Sequence, residues 1–106
     1  MITLEDFKKL SLKIARIKEV AGHPDADKLY VVKLDIGGEE KQVVAGIKKA
    51  YTPESLVGRL VVVVDNLEPA VIRGVESNGM ILASNDGENM AVLSPDKDIV
   101  SGSIVK

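Results

Sequence analysis

The glycine pair Gly37-Gly38 stands between two runs rich in β-branched residues, Leu29 to Ile36 and Lys41 to Ile47, and this punctuation constrains the chain more than any other local feature. Two such runs joined by glycines read as a β-hairpin, because glycine adopts the positive-φ conformations that a tight turn requires. The rest of the chain continues in the same manner. From Ser11 to Val20 the apolar positions are Leu12, Ile14, Ile17 and Val20. That breaks a strict period of two near Ala15-Arg16 and predicts a bent or bulged strand. Leu60 to Val64 is a continuous apolar run bounded by Gly58 and Asp65-Asn66, the pattern of a strand buried on both faces. Met80 to Ser84 predicts a further strand, Asn85-Asp86-Gly87 a turn into Met90 to Leu93, and Ile104-Val105 a last short strand.

Helical signals are brief. Thr3-Leu4-Glu5-Asp6 places a capping hydroxyl before acids in a first turn, predicting a short helix to about Leu10 that acts as a lid or plug. Thr52-Pro53-Glu54 predicts one or two turns to about Val57, stopped by Gly58. The order is a bent first strand, a hairpin, a short helix between third and fourth strands, then two more strands. It is the order of an all-β, five-stranded OB-fold Greek-key barrel with short helices. At 106 residues the chain is expected to be one domain over 1–106, with the barrel at about 11–84. A C-terminal β extension at about 85–106 carries Met90, Val92, Leu93, Ile99, Val100, Ile104 and Val105, more apolar surface than a tail should expose.

Hydrophobic residues make up 45% and charged residues 28% of the chain, which is the balance of a globular domain rather than a disordered one. No apolar run approaches the roughly 20 residues that a spanning helix needs. Glu5 and Asp6 fall where a signal peptide would be apolar, so a cytoplasmic location with no membrane partner is expected. The absence of cysteine excludes disulfides, thiolate catalysis and Cys-ligated zinc. Fourteen Lys and Arg against 16 Asp and Glu give a net charge of -2, so a strong overall basic field is absent. Lys8, Lys9, Lys13, Arg16 and Lys18 crowd the first strand region, either as a local basic face or as the solvated side of a half-buried strand.

Catalytic patterns are missing. The single histidine has no convincing Ser or acid pair, and neither a G-x-S-x-G elbow nor a Walker-type loop occurs. Gly74 and Gly79 lack the Lys-Ser or Lys-Thr that a phosphate loop would carry after its second glycine. That segment is expected to be a loop on one rim of the barrel, exposing backbone amides with Ser77 and Asn78. His23, Asp25 and Asp27 lack the partners of a zinc or calcium set, and a turn in which the Asp side chains accept backbone N–H groups explains them better. No enzyme activity, metal or other cofactor is expected.

Two distant stretches, His23-Pro24-Asp25-Ala26-Asp27-Lys28-Leu29 and Asn66 through Glu76-Ser77-Asn78-Gly79-Met80-Ile81-Leu82, carry a family resemblance. It extends through Asp6-Phe7, Val44-Ala45-Gly46-Ile47, Tyr51 to Gly58 and Leu82 to Gly87, nearly the whole chain. The sequence resembles the tRNA-binding domain at the C-terminus of methionyl-tRNA synthetases, which also exists as a small free-standing protein. The resemblance implies a non-catalytic module that grips tRNA by shape and assists a synthetase catalytic domain in cis or in trans. It also implies a homodimer built by the C-terminal extension, the alternative being that these residues cap their own barrel in a monomer. It carries Asn66, Arg73, Ser77 and Met80 over to the tRNA-contacting region, with Asn78 beside them. Arg73 can fork onto phosphate, and Asn66 and Ser77 can bond phosphate or a ribose 2′-OH. Met80 can pack on a sugar or base, or in the core, and Asn66 can equally be a turn residue.

One departure weakens the expected RNA face. The family has basic residues at positions equivalent to Glu68, Ala70 and Val71, and this chain does not. Lys28, Lys33, Lys48, Lys49 and Arg59 are the residues available to compensate. With Phe7, Tyr30 and Tyr51 as its only aromatics, the chain is poorly equipped to stack single-stranded bases. A peptide-binding export-chaperone-like OB-fold dimer, or a dimerisation scaffold, remains the alternative from another class.

Overall fold

A strand that changes partners halfway along its length organises the molecule. In the computed structural model, which describes residues 1–106, β1 (Leu12–His23) pairs antiparallel with β4 (Leu60–Val64) over Leu12 to Arg16 and with β2 (Ala26–Ile36) from Arg16 onward. The register shifts between Ile17 and Glu19 and again between Gly22 and His23. The expected bend is therefore present, displaced from Ala15-Arg16 to the bulge at Lys18. The strand runs as far as His23, opposite Ala26, and Pro24-Asp25 make the predicted turn, in which the His23 ring and not an Asp side chain accepts the backbone N–H of Asp25.

β2 and β3 (Glu39–Ala45) form the hairpin announced by Gly37-Gly38, with Ile36 opposite Glu39. β4 continues the sheet to β7 (Met80–Ile81), giving the antiparallel order β3-β2-β1-β4-β7, and β10 (Ile104–Val105) pairs with β1 at Leu12 and Lys13. This path is open: no ladder joins β3 to β7. The closed hydrogen-bonded barrel expected from the element order is not formed. Side chains and single bonds bridge the seam instead. Asn78 N donates to Gln42 O at 2.9 Å, Gln42 Nε2 to Glu76 O at 2.8 Å, and Val44 N to Ser77 Oγ at 2.9 Å.

The predicted strand from Met80 to Ser84 is broken at Leu82. Before it, β7 lies on β4; after it, β8 (Ala83–Asn85) pairs with β9 (Met90–Val92) in a separate two-stranded sheet. The Leu82 N–H donates to Val62 O while Leu93 O, just after β9, accepts from Val62 N, so the break and the end of the β8–β9 hairpin are both tied to β4. Asp86 Oδ1 accepts from Glu88 N and Asn89 N and shapes the turn between β8 and β9. A hairpin not read from the sequence, β5 (Ala70–Ile72) and β6 (Val75–Ser77), occupies the segment expected to be a rim loop.

Both helices are single turns. α1 (Leu4–Phe7) has the expected Thr3 cap, completed by Asp6 as a capping box, but stops three residues short of Leu10 and buries none of its residues. It is not a plug. α2 (Pro53–Leu56) begins at its proline and inserts Leu56 into the core. That core is one cluster joining Ala15, Ile17, Val32, Leu34, Val43, Val61 and Val63 to Leu56, Ile81 and Val92. The C-terminal extension divides between two roles. Val92 is buried and Met90 packs against the core, whereas Leu93, Ile99, Val100 and Ile104 are exposed.

Candidate nucleic-acid interface

Arg73 sits at the tip of the β5–β6 hairpin and is the only non-glycine residue with positive φ, at 48°, followed by Gly74 at 84°. Positive φ at both central residues is the geometry of a type I′ turn, which suits the twist of a two-residue hairpin and ordinarily selects Asn-Gly. An arginine there carries backbone strain, a feature that concentrates at functional sites. The side chain is exposed, and Nη1 donates to the Asp25 carbonyl at 3.1 Å. A guanidinium has five N–H donors, so most of its binding capacity remains.

Lys28 shares with it a surface depression of about 430 Å³, lined also by Asp25, Ala26, Asp27 and Leu29. Lys28 also lines a neighbouring depression of about 530 Å³ with Gly46, Lys49, Asn85 and Met90. That one shares Gly46 and Met90 with an apolar groove of about 350 Å³ containing Met80, Ile47 and Leu82. Arg73, Lys28, Lys49 and Met80 therefore follow one continuous track. Met80 is 47% exposed at the start of β7, so contact with a ligand is open to it. Charge along the track is mixed, since Asp25 and Asp27 balance Lys28 and Arg73 in the first depression. Lys48 reaches back over the β1 end, with Nζ 6.0 Å from the Tyr30 ring centroid.

Other residues singled out from the sequence lie elsewhere. Lys33 and Asn78 line a separate cleft of about 450 Å³ with Glu39, Glu40 and Lys41. Arg59 stacks over Tyr51 at 5.3 Å and borders a depression with Arg16, Asp96 and Asp98. Ser77 is buried, with its hydroxyl accepting from Val44 N and donating to Gly79 O at 3.3 Å. Its neighbour Gly79 admits no side chain, because a Cβ there would lie 2.8 Å from Val64 O. Asn66 is exposed, but its amide is engaged by backbone: Oδ1 accepts from Ser11 N at 2.8 Å and Nδ2 donates to Lys9 O at 2.7 Å. These two polar side chains hold the seam and the N-terminal segment.

Two lysines are withdrawn from the surface field by Asp65 at the end of β4. Lys13 Nζ is 2.8 Å from Oδ2 and Lys41 Nζ is 2.7 Å from Oδ1. Burial works to raise the Asp65 carboxyl, but hydrogen bonds and charge from Lys13 and Lys41 outweigh it and hold the group below its usual range. The hydrogen bond to Asp65 likewise raises Lys13. Sequence reasoning missed Gln42, which bridges the seam, and the inward use of His23, whose ring nitrogens engage Asp25 N and Ile72 O.

With the geometry in place, comparison with known proteins identifies the family. The model of the tRNA binding domain matches residues 12–104. The chain belongs to that family. It is 55% identical over 105 residues to the methionine–tRNA ligase of Pyrococcus furiosus, a match covering 99% of this chain and 14% of the ligase. The domain thus corresponds to about one-seventh of that enzyme's length. Among solved structures, a MetRS-related protein from Pyrococcus horikoshii superposes with a TM-score of 0.92 at 27% identity, covering 100% of this chain and 98% of the other. The chaperone CsaA from Bacillus anthracis gives a TM-score of 0.91 at 28% identity, covering 100% and 99%. No helix in the domain is long and apolar enough to cross a membrane.

Proposed function

We propose that this domain is a non-catalytic tRNA-binding module that raises the local concentration of tRNA near a methionyl-tRNA synthetase, in cis or in trans. The observation that carries the reading is the 55% identity to a methionine–tRNA ligase across 99% of the chain. Its architecture is read as an OB-type barrel whose β3–β7 seam is closed by Gln42, Ser77 and Asn78 instead of a ladder. The domain spans 1–106, and its last segment, with Leu93, Ile99, Val100 and Ile104 exposed, makes a symmetric dimer. A cytoplasmic location follows from the tRNA partner.

The RNA lies along the track from Arg73 through Lys28 and Lys49 to Met80, with Lys48 beside it. Arg73 forks onto a phosphate, the lysines supply further phosphate contacts, and Met80 packs on a sugar or base edge. Ser77 shapes the face from within, and Asn66 holds the N-terminal segment beside it. Asn78, Lys33 and Arg59 serve phosphates that pass beyond the track. Without an array of aromatic platforms, the mode is readout of backbone and shape.

A chaperone-like reading is favoured by one specific feature, the apolar groove beside Met80 and Met90, together with the likeness to CsaA. A gel shift with tRNA, set beside binding of an unfolded polypeptide, separates the two. Binding of tRNA alone supports the first reading, and polypeptide binding without tRNA binding overturns it.

A further inference from the structure

His23 lines none of the depressions of the RNA track, yet it is wired to the residue at the track's head. His23 is only 6% exposed. Its Nε2 is 2.9 Å from Ile72 O, and a carbonyl can only accept, so Nε2 carries the proton. Nδ1 is then the bare nitrogen, and it accepts from Asp25 N at 2.9 Å. Asp25 in turn accepts, through its carbonyl, the 3.1 Å bond from Arg73 Nη1. The result is a closed loop of contacts: His23 holds Ile72, the residue before Arg73, and holds the amide of Asp25, the residue whose carbonyl Arg73 grips.

We propose that His23 is a positioning residue that fixes the strained Arg73 turn, and with it the guanidinium, in the geometry that meets a phosphate. Two features make such a strut necessary. The β5–β6 hairpin has three residues in each strand and forms its own sheet; the base of β6 is tied to β3 at Glu76 and Ser77, which leaves the tip around Ile72 and Arg73 as the part that a two-stranded ribbon alone would hold marginally in water. Its tip is also a residue in an unfavourable backbone region. Left to itself, the hairpin would open locally far more readily than the core. The imidazole anchors it to the β1–β2 turn through one bond at each end of the ring. The inference deepens the tRNA-binding reading and rests on it for the consequence in affinity, though not for the anchoring itself.

The two ends of the ring can be separated by substitution. His23→Gln places an amide N–H where Nε2 lies and preserves the tether to Ile72, while giving up the acceptor for Asp25 N. His23→Asn keeps an acceptor at the Nδ1 position and loses the reach to Ile72. Trypsin cleavage at the Arg73–Gly74 bond reports hairpin opening without any RNA. It should accelerate about tenfold in His23→Asn and stay near wild type in His23→Gln, with both thermal midpoints recorded to exclude global unfolding. In tRNA titrations His23→Asn should bind about fivefold more weakly, the scale of ordering one long side chain on association, and His23→Gln should rescue affinity. The double variant H23N/R73A should bind no more weakly than R73A, because the strut acts through the arginine. Unchanged cleavage in a folded His23→Asn variant overturns the strut. Additive losses in the double variant overturn its action through Arg73. If the wild-type chain fails to bind tRNA at low salt, the functional reading falls, and the cleavage result alone decides whether His23 anchors the hairpin.

Discussion

The Lys41 ammonium lies 2.7 Å from Asp65 Oδ1 and donates to the Asp65 backbone carbonyl at 2.8 Å, locking β3 to the end of β4. Lys13 completes the cluster from β1. Asp65→Asn should lower stability in urea unfolding at pH 7, because it leaves the Lys13 and Lys41 ammonium groups without their counter-charge. The folded carboxyl lies below its ordinary value of 3.8. Its contribution is therefore complete above the unfolded value and is lost as pH falls through the folded one. Stability should decline below about pH 4 in the wild type, and the Asp65→Asn variant should show a shallower decline over that window.

Arg73→Ala should weaken tRNA binding by about 1–2 kcal/mol and leave the fold intact, since an exposed forked phosphate contact is lost. Arg73→Asn is the sharper variant. Asparagine tolerates positive φ, so the hairpin should gain about 0.5 kcal/mol while RNA affinity falls as in the alanine variant. Paired melting and titration curves check both directions. A stability loss with normal binding would make Arg73 a purely structural residue.

Ser77→Ala should do the reverse. The Val44 N–H then loses its acceptor at the β3–β7 seam, a loss of about 2 kcal/mol for a buried unpaired donor. Denaturant midpoints should drop, while the tRNA affinity of the folded fraction stays near wild type. Weaker binding without a change in midpoint would make the hydroxyl an RNA contact.

Assembly can be tested without truncation. Removing the segment after Ser84 would delete Val92, which belongs to the core, and β9, which pairs with β8. Val100 and Ile104, 78% and 76% exposed, are better targets. Val100→Asp with Ile104→Lys should convert a dimer to a folded monomer in sedimentation equilibrium. A wild-type chain that is already monomeric at about 100 μM, well above the micromolar range of a specific interface, would contradict the dimer.

The sequence announced the elements whose causes are local. Gly37-Gly38 marked the β2–β3 hairpin, Thr52-Pro53 marked α2, and the Leu60–Val64 run marked β4 beside the central strand β1. The β5–β6 hairpin escaped because Arg73-Gly74 is not the usual pair for its turn, and the anchor that holds it is a histidine 49 residues away in sequence. The break at Leu82 is set by exchange of partners at Val62, which no local pattern records. For the same reason the candidate site was half legible. Arg73, Lys28 and Met80 fall on one track, whereas the buried Ser77 and the exposed Asn66 are engaged by backbone groups brought to them by long-range closure.

Titration of the domain with tRNA at low and moderate salt tests the central claim most directly. Binding should be micromolar by order of magnitude at the lower salt and weaken steeply at the higher, with a log–log slope of roughly -2 to -4 from the few phosphate contacts along the track. Absence of binding at low salt, or affinity indifferent to salt, would contradict the account.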